Sequence, residues 1–113
     1  MAEFFRHWLA VGEHADVDKL PRIFQVNWFR KDEGGRFLWP GFGENSRVLA
    51  WVFRRCEGAG EARETAIGLV PTDDALDLEG LDIDPEAVSE LLNVEPEEWK
   101  AQLPQVHEHF ARF

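Results

Sequence analysis

The spacing of apolar residues near the start of the chain predicts an amphipathic helix over residues 3–12. Apolar side chains recur there at intervals that place them on one helix face, and Gly12 follows as the expected stop. The residues of this stripe are Phe4, Phe5, Trp8, Leu9 and Val11. Apolar residues return at helical spacing after Asn45, a residue favoured as a helix N-cap, and predict a second helix over 46–57.

Two further helices are predicted in the C-terminal third of the chain. The segment 84–86 combines an N-cap aspartate, a proline suited to the first helical position and a glutamate near the positive end of the helix dipole. It predicts a short helix over Glu86–Leu92. The segment 95–98 repeats this pattern, and Pro104 is expected to kink the helix that begins there. The apolar face of this last helix comprises Trp99, Leu103, Val106 and Phe110.

Extended structure is predicted in two main segments. Residues typical of strands dominate 22–30, and a second run, 65–70, is closed by a proline, so we expect these two segments to pair. Turn residues at 32–35 and a short extended piece at 37–39 predict a hairpin-like excursion after the first strand. Together with the helices, this pattern predicts an α+β fold, a small mixed α/β piece with few short strands and about four helices.

Length and charge restrict the function classes. The 113 residues predict a single domain spanning 1–113. The net charge of −10 is uneven, because residues 1–70 hold ten basic and ten acidic side chains whereas residues 71–113 hold two and twelve. Such an acidic half would repel a phosphate backbone, so we expect no nucleic-acid partner. No apolar run approaches the roughly eighteen residues of a membrane span, and the single cysteine, Cys56, fits a cytoplasmic protein in a reducing compartment.

The segment 27–45 is rich in aromatic residues for a loop and is the candidate site for chemistry. Such rings either pack the joint between a strand, a loop and a helix, or form the walls of a slot for a flat ligand. In the second interpretation Phe29, Phe37 and Phe42 would contact a planar base beside the free N–H groups at a helix start. Those donors favour guanine, which carries an acceptor at O6, over adenine, which carries a donor there.

The residues alone leave both interpretations of the rings open. The run 41–45 resembles a phosphate-cradling turn, but it lacks the lysine and hydroxyl that a P-loop needs. Trp39 and Trp51 are candidates for the core. The four histidines lack the spacing of a metal site, so no metal ligand is assigned within this chain.

A family resemblance is carried by two motifs. Residues 21–32 read Pro-Arg-Ile-Phe-Gln-Val-Asn-Trp-Phe-Arg-Lys-Asp, and residues 37–45 read Phe-Leu-Trp-Pro-Gly-Phe-Gly-Glu-Asn. With the helix that follows, they resemble the nucleotide-binding stretch of GTP-dependent phosphoenolpyruvate carboxykinases. The resemblance extends over about residues 4–82 and is loose beyond that range.

The resemblance implies a site and a ligand. In that family guanine lies among phenylalanines that match Phe29, Phe37 and Phe42, with a tryptophan matching Trp28 alongside and an asparagine matching Asn45 hydrogen-bonding the base. GTP or GDP is therefore the implied ligand. The whole enzyme resembled converts oxaloacetate and GTP into phosphoenolpyruvate, GDP and carbon dioxide in gluconeogenesis. Its P-loop, its ligands for manganese or magnesium and its oxaloacetate-binding arginines would lie outside this chain, so we expect the isolated segment to be inactive.

We therefore expect a C-terminal fragment of a larger enzyme, whose partners are a guanine nucleotide and the missing N-terminal part. Residues 107–113 remain in helical register without a glycine or proline stop, which agrees with this expectation. The apolar stripe of the helix at 3–12 would then be uncovered and drive self-association. The alternative is an independent, non-enzymatic module that binds a purine nucleotide or a partner protein through the same aromatic loop.

Overall fold

The computed structural model describes residues 1–113 and contains four α-helices and one two-stranded antiparallel sheet. The helices are α1 (Ala2–His14), α2 (Asn45–Cys56), α3 (Pro85–Leu92) and α4 (Pro96–Phe110), and the strands are β1 (Ala62–Thr65) and β2 (Gly68–Pro71). These elements confirm the predicted α+β class. The chain divides into two compact units, one formed by Met1–Ile23 with Glu95–Phe113 and the other by Phe24–Val94.

The first unit contains the two terminal helices. Helix α1 continues through Gly12 to His14, so the prediction that Gly12 stops the helix is wrong. A glycine inside a helix costs only about 1 kcal/mol, and here the chain leaves the helix at Ala15, whose backbone is extended. Helix α4 contains Pro104 in its interior, and neither α1 nor α4 buries any residue within the described structure.

The second unit contains the sheet, and its pairing differs from the prediction. Strand β1 pairs with β2 as a local hairpin, with Ala62 opposite Pro71 and Thr65 opposite Gly68. The predicted extended run 65–70 is therefore interrupted by a turn. Thr65 closes this turn by donating its hydroxyl to the carbonyl of Gly68 at 2.7 Å, and Gly68 adopts a φ of 125° that favours glycine.

The predicted strand at 22–30 is wrong. Residues 21–27 form no regular secondary structure, and the only ladder contact nearby is a single antiparallel bridge between Lys31 and Phe37. The physical reason is that strand propensity describes a residue's fit to a pleated, half-buried surface, so it yields a strand only where a partner strand lies alongside. Here β2 already pairs with β1, and the sheet has two strands only.

The core lies in the second unit. Trp39 and Trp51 are each only 5% exposed, which confirms both as core residues. The other buried apolar residues are Leu38, Leu76, Val88 and Leu92. Helix α3 confirms its predicted N-terminus, because the carboxylate of Asp84 accepts the N–H of Glu86 at 2.9 Å. Helix α2 follows its predicted range within one residue at each end.

Candidate functional site

The candidate site is built on a short hairpin between residues 30 and 38. Its two arms are joined where the N–H of Leu38 donates to the carbonyl of Arg30 at 3.0 Å. Its tip is closed by Asp32, whose N–H donates to the carbonyl of Arg36 at 2.9 Å and whose own carbonyl accepts the N–H of Gly35 at 3.0 Å. Gly35 has a φ of 81°, a left-handed conformation that glycine adopts without strain. The hairpin therefore fixes the separation between the backbones of Phe29 and Phe37, which lie at its base.

The carboxylate of Asp32 reinforces this tip. It accepts the backbone N–H of Arg36 on one oxygen and the guanidinium Nε of the same residue on the other, both at 2.9 Å. The backbone hydrogen bond from Arg36 has the largest effect on the pKa of Asp32 and lowers it. Desolvation opposes this effect and the Arg36 guanidinium adds to it, so that the pKa lies below its ordinary value of 3.8. The ionised carboxylate is thus the form that holds the hairpin closed.

Two phenylalanines meet at the base of the hairpin. The rings of Phe29 and Phe37 lie 6.2 Å apart between centroids at an angle of 63°, an edge-to-face arrangement. Phe29 is oriented locally, because its N–H donates to the side-chain oxygen of Asn27 at 3.0 Å. Phe29 is 73% exposed and Phe37 is 56% exposed. The pair therefore presents ring surface to solvent rather than filling the core.

A lysine lies over one face of the Phe37 ring. The ammonium nitrogen of Lys31 lies 4.8 Å from the centroid of the Phe37 ring, within the range of a cation–π interaction. A flat ligand that stacks on the same face of Phe37 would have to displace this ammonium group.

Phe42 lies apart from the pair. It begins a 3-10 turn over Phe42–Glu44 that leads directly into α2, and it is 98% exposed. The residue before it, Gly41, has a φ of 95° and a ψ of −151°, a conformation that side chains disfavour. Phe42 thus stands at the entrance of α2, outside contact with Phe29 and Phe37.

The start of α2 has no side-chain cap, although the N–H of Glu44 donates to the carbonyl of Gly41 at 2.9 Å. No side chain caps the 3-10 turn at Gly41 or the helix at Glu44, so the first N–H groups of this helical segment have no side-chain acceptor. The prediction that Asn45 is the N-cap is wrong, because the helix already includes Asn45 as its first residue. The reason is that the preceding 3-10 turn carries the chain into helical geometry before Asn45 is reached.

The side chain of Asn45 has a different role. Its Oδ1 accepts the indole N–H of buried Trp39 at 2.9 Å. An indole nitrogen can only donate a hydrogen bond, so it must face the oxygen of the amide and not its nitrogen. Trp39 therefore fixes which way the Asn45 amide points, and leaves the two N–H donors of that amide for another partner.

The structure brings some predicted site residues together and separates others. Phe29 contacts Phe37, and Asn45 contacts Trp39, while Trp28 is half-buried beside Phe29 in the chain. Sequence reasoning had assigned no role to Asp32 and Lys31 within the site. The role of Asp32 could have been predicted from its spacing, because an acid and an arginine four residues apart, with two glycines between them, indicate a turn closed by hydrogen bonds between the two side chains.

No group of three histidine, cysteine, aspartate or glutamate side chains is placed to hold a metal ion. Two concavities of the second unit have linings without aromatic residues. Their linings include Arg63, Asp73, Glu86, Ser89 and Asn93 in one case and Leu78, Leu81, Ile83 and Val88 in the other. None of the four helices combines the length and the apolar character needed to cross a membrane.

Comparisons with known proteins find matches that cover all or nearly all of this chain. Residues 1–113 match the model of the phosphoenolpyruvate carboxykinase C-terminal P-loop domain family. The chain is 52% identical over 114 residues to the GTP-dependent phosphoenolpyruvate carboxykinase of Treponema pallidum, a match that covers 100% of this chain and 18% of that protein. It is 49% identical over 111 residues to the enzyme of the same name from Renibacterium salmoninarum, covering 98% of this chain and 18% of that protein.

These matches confirm the resemblance drawn from the two sequence motifs. The chain spans about 18% of the length of the curated relatives that it matches.

Proposed function

This chain belongs to the phosphoenolpyruvate carboxykinase C-terminal P-loop domain family, and from that premise we propose that residues 28–45 bind the guanine base of GTP or GDP. The proposed contacts are Trp28, Phe29, Phe37, Phe42 and Asn45. The whole protein would then carry out the reaction for which its relatives are named, as a GTP-dependent phosphoenolpyruvate carboxykinase. In that protein this segment would supply nucleotide recognition and not the reacting groups.

The observation that carries the proposal is the orientation of the Asn45 amide. Because its oxygen accepts the Trp39 indole N–H at 2.9 Å, the N–H donors of the amide are the groups left to meet a ligand. Guanine has an acceptor at O6, which these donors would satisfy. Adenine has an amino group at the corresponding position, so donor would face donor and the base would be rejected.

The exposed rings support the same proposal. Phe29 and Phe37 present an edge-to-face pair at the hairpin, and Phe42 stands almost fully exposed at the entrance of α2. A phenylalanine that is 98% exposed has no packing role in this chain. Stacking of a base on such a ring contributes about 1–3 kcal/mol of binding free energy.

The divalent metal implied by the family does not fit the residues present. No group of three potential ligands is placed to hold an ion, so the residues that hold the metal would belong to other parts of the whole protein. The sequence also contains no Gly-x-x-x-x-Gly-Lys-Ser/Thr motif to hold the phosphates. The contribution of this segment is therefore to bind and orient the base, which places the phosphates for groups elsewhere in the protein.

The test is to replace Phe42 with alanine in the full-length carboxykinase that contains this segment. Because the side chain is 98% exposed, the free energy of unfolding should change by less than about 0.5 kcal/mol. Loss of a stacking ring should raise the KM for GTP about ten- to a hundred-fold. Steady-state kinetics with GTP and ATP, together with thermal melts, measure both quantities.

The matched control is Phe53→Ala, which removes another phenylalanine that is 69% exposed and lies on α2 away from its start. This variant should leave the KM for GTP unchanged. If Phe42→Ala instead melts early and keeps its KM, the ring has a packing role and the guanine assignment fails. Tight GTP binding by a natural protein that consists of this segment alone would favour the independent-module alternative.

A further inference from the structure

The C-terminal end of α3 is held by arginines from distant parts of the chain. One guanidinium nitrogen of Arg30 donates to the carbonyl of Leu91 at 3.2 Å and to that of Asn93 at 3.4 Å. Arg63, on β1, donates to the carbonyl of Leu92, which lies between them. Three successive carbonyls at the end of one helix therefore receive two arginine side chains.

Helix α3 ends with a backbone bond in which the N–H of Asn93 donates to the carbonyl of Glu90 at 3.3 Å, and the arginines supply donors for the three carbonyls that follow. The last carbonyls of a helix lack intrahelical partners, and most helices satisfy them with a glycine in the left-handed conformation or with a basic residue of the last turn. In α3 the last turn has no basic residue, and Asn93 is extended, with a φ of −71° and a ψ of 135°. The arginines also place positive charge at the negative end of the helix dipole.

Arg30 connects this helix end to the candidate site. Its neighbours in the chain are Phe29 and Lys31, and its own carbonyl accepts the N–H of Leu38 to close the hairpin at 3.0 Å. Its backbone therefore joins the two arms that carry Phe29 and Phe37, while its side chain fastens the same point to α3. Without the guanidinium, the hairpin would lose this anchor, and its internal hydrogen bonds would open more often.

We propose that Arg30 is a positioning residue, which holds the Phe29–Phe37 pair in place for the base by anchoring the hairpin to the C-terminal end of α3. This inference rests on the proposed guanine-binding function. Arg30 itself does not contact the base. It sets the fraction of molecules in which the two rings adopt the binding-competent arrangement, and the apparent affinity for a ligand falls in proportion to that fraction.

The chain offers a matched control in Arg54. This residue of α2 also donates to a backbone carbonyl in the second unit, that of Ala75, at 2.7 Å. Arg54→Ala removes the same kind of hydrogen bond at a point away from the hairpin. A purely structural role for Arg30 would make Arg30→Ala and Arg54→Ala behave alike.

The experiment compares both variants in the full-length carboxykinase that contains this segment. We expect both to lower the melting temperature to a similar extent. Only Arg30→Ala should raise the KM for GTP, by about tenfold if the hairpin is then in place about a tenth of the time. The turnover number at saturating GTP should stay unchanged, because bound nucleotide restores the hairpin. Hydrogen exchange of the Leu38 amide should accelerate in Arg30→Ala alone.

A second variant keeps the inference testable if Arg30→Ala fails to fold. Arg30→Lys keeps the charge but offers a single ammonium group in place of the planar guanidinium, so it should give an intermediate KM. If the unmodified enzyme shows no saturation with GTP, the proposed function fails and this inference with it. If the unmodified enzyme saturates with GTP while Arg30→Ala keeps the same KM, the positioning role is refuted and the proposed function stands.

Discussion

Replacement of Trp51 tests how the second unit is held together. This residue lies on α2, is 5% exposed, and donates its indole N–H to the carbonyl of Glu61 at 2.9 Å. Its ring also meets Phe24 edge-to-face, with centroids 6.1 Å apart and an interplanar angle of 84°. Trp51 thus joins the helix to the segment before β1 and to the irregular segment before the hairpin.

The expected magnitude follows from these contacts. A buried tryptophan removes about 150–250 Å² from water, which at about 25 cal/mol per Å² corresponds to about 4–6 kcal/mol. Since the cavity left by Trp51→Ala would relax in part, we expect a loss of about 3–5 kcal/mol in the free energy of unfolding. Trp51→Phe keeps a ring against Phe24 but leaves the Glu61 carbonyl without its donor, and should cost about 1–3 kcal/mol.

Urea denaturation followed by far-ultraviolet circular dichroism measures these differences as shifts of the midpoint at a similar slope. The control is Phe53→Ala on the same helix, which should change the free energy of unfolding by less than about 0.5 kcal/mol because its ring is exposed. A Trp51→Ala variant within about 1 kcal/mol of the unmodified chain would refute the assignment of Trp51 to the core. Equal costs for the phenylalanine and alanine variants would refute the role given to ring packing.

Trp39→Phe removes the N–H that orients the Asn45 amide, so it should cost about 1–2 kcal/mol of stability and reduce the preference for guanine over adenine nucleotides; competition binding in the full-length enzyme would disprove this if the preference stays the same. Because the pKa of Asp32 is lowered in the folded state, its stabilisation is complete above the ordinary value of 3.8 and is lost as the pH falls below it. Thermal melts from neutral pH to about pH 3 should therefore show a smaller acid-induced decrease in melting temperature for Asp32→Asn than for the unmodified chain. Equal decreases would contradict the stabilising role of the hydrogen bonds between Asp32 and Arg36. If the groups that hold the phosphates and the metal belong to other parts of the whole protein, as proposed, the isolated chain should bind GTP with a Kd on the order of millimolar or weaker, and micromolar binding by calorimetry would overturn this expectation. The exposed stripe of α1 should cause self-association that Trp8→Glu reduces, as measured by analytical ultracentrifugation; a monomeric chain at high concentration would count against it.

The helices were predictable because the signals that define them are local. The N-cap of α3 depends on Asp84 and the N–H two residues later, and the apolar spacing of α1 and α2 is complete within each segment. The candidate site came from one short stretch that carries a family motif, and the binding roles of its residues stay a prediction.

The pairing of strands and the partners of polar groups depended on tertiary structure. The segment 22–30 has strand-forming residues but no partner, while the run at 65–70 contains a turn that lets β1 and β2 pair locally. Asn45 has the side chain of an N-cap, yet its oxygen accepts the N–H of Trp39. Propensity could not distinguish these outcomes, since each depends on which group lies opposite in space.

The sequence by itself determined the helical segments, the fold class, the aromatic segment at 27–45 and the family. Only the tertiary structure decided that Phe29 and Phe37 form a pair without Phe42, and that Arg30 reaches carbonyls 61 and 63 residues away. The acidic C-terminal stretch has no Lys or Arg between residues 71 and 99, so the basic donors at the end of α3 come from earlier in the chain, from Arg30 and Arg63. The physical reason is that a helix forms from contacts within a few residues, whereas its unsatisfied terminal carbonyls take whichever donors folding brings near.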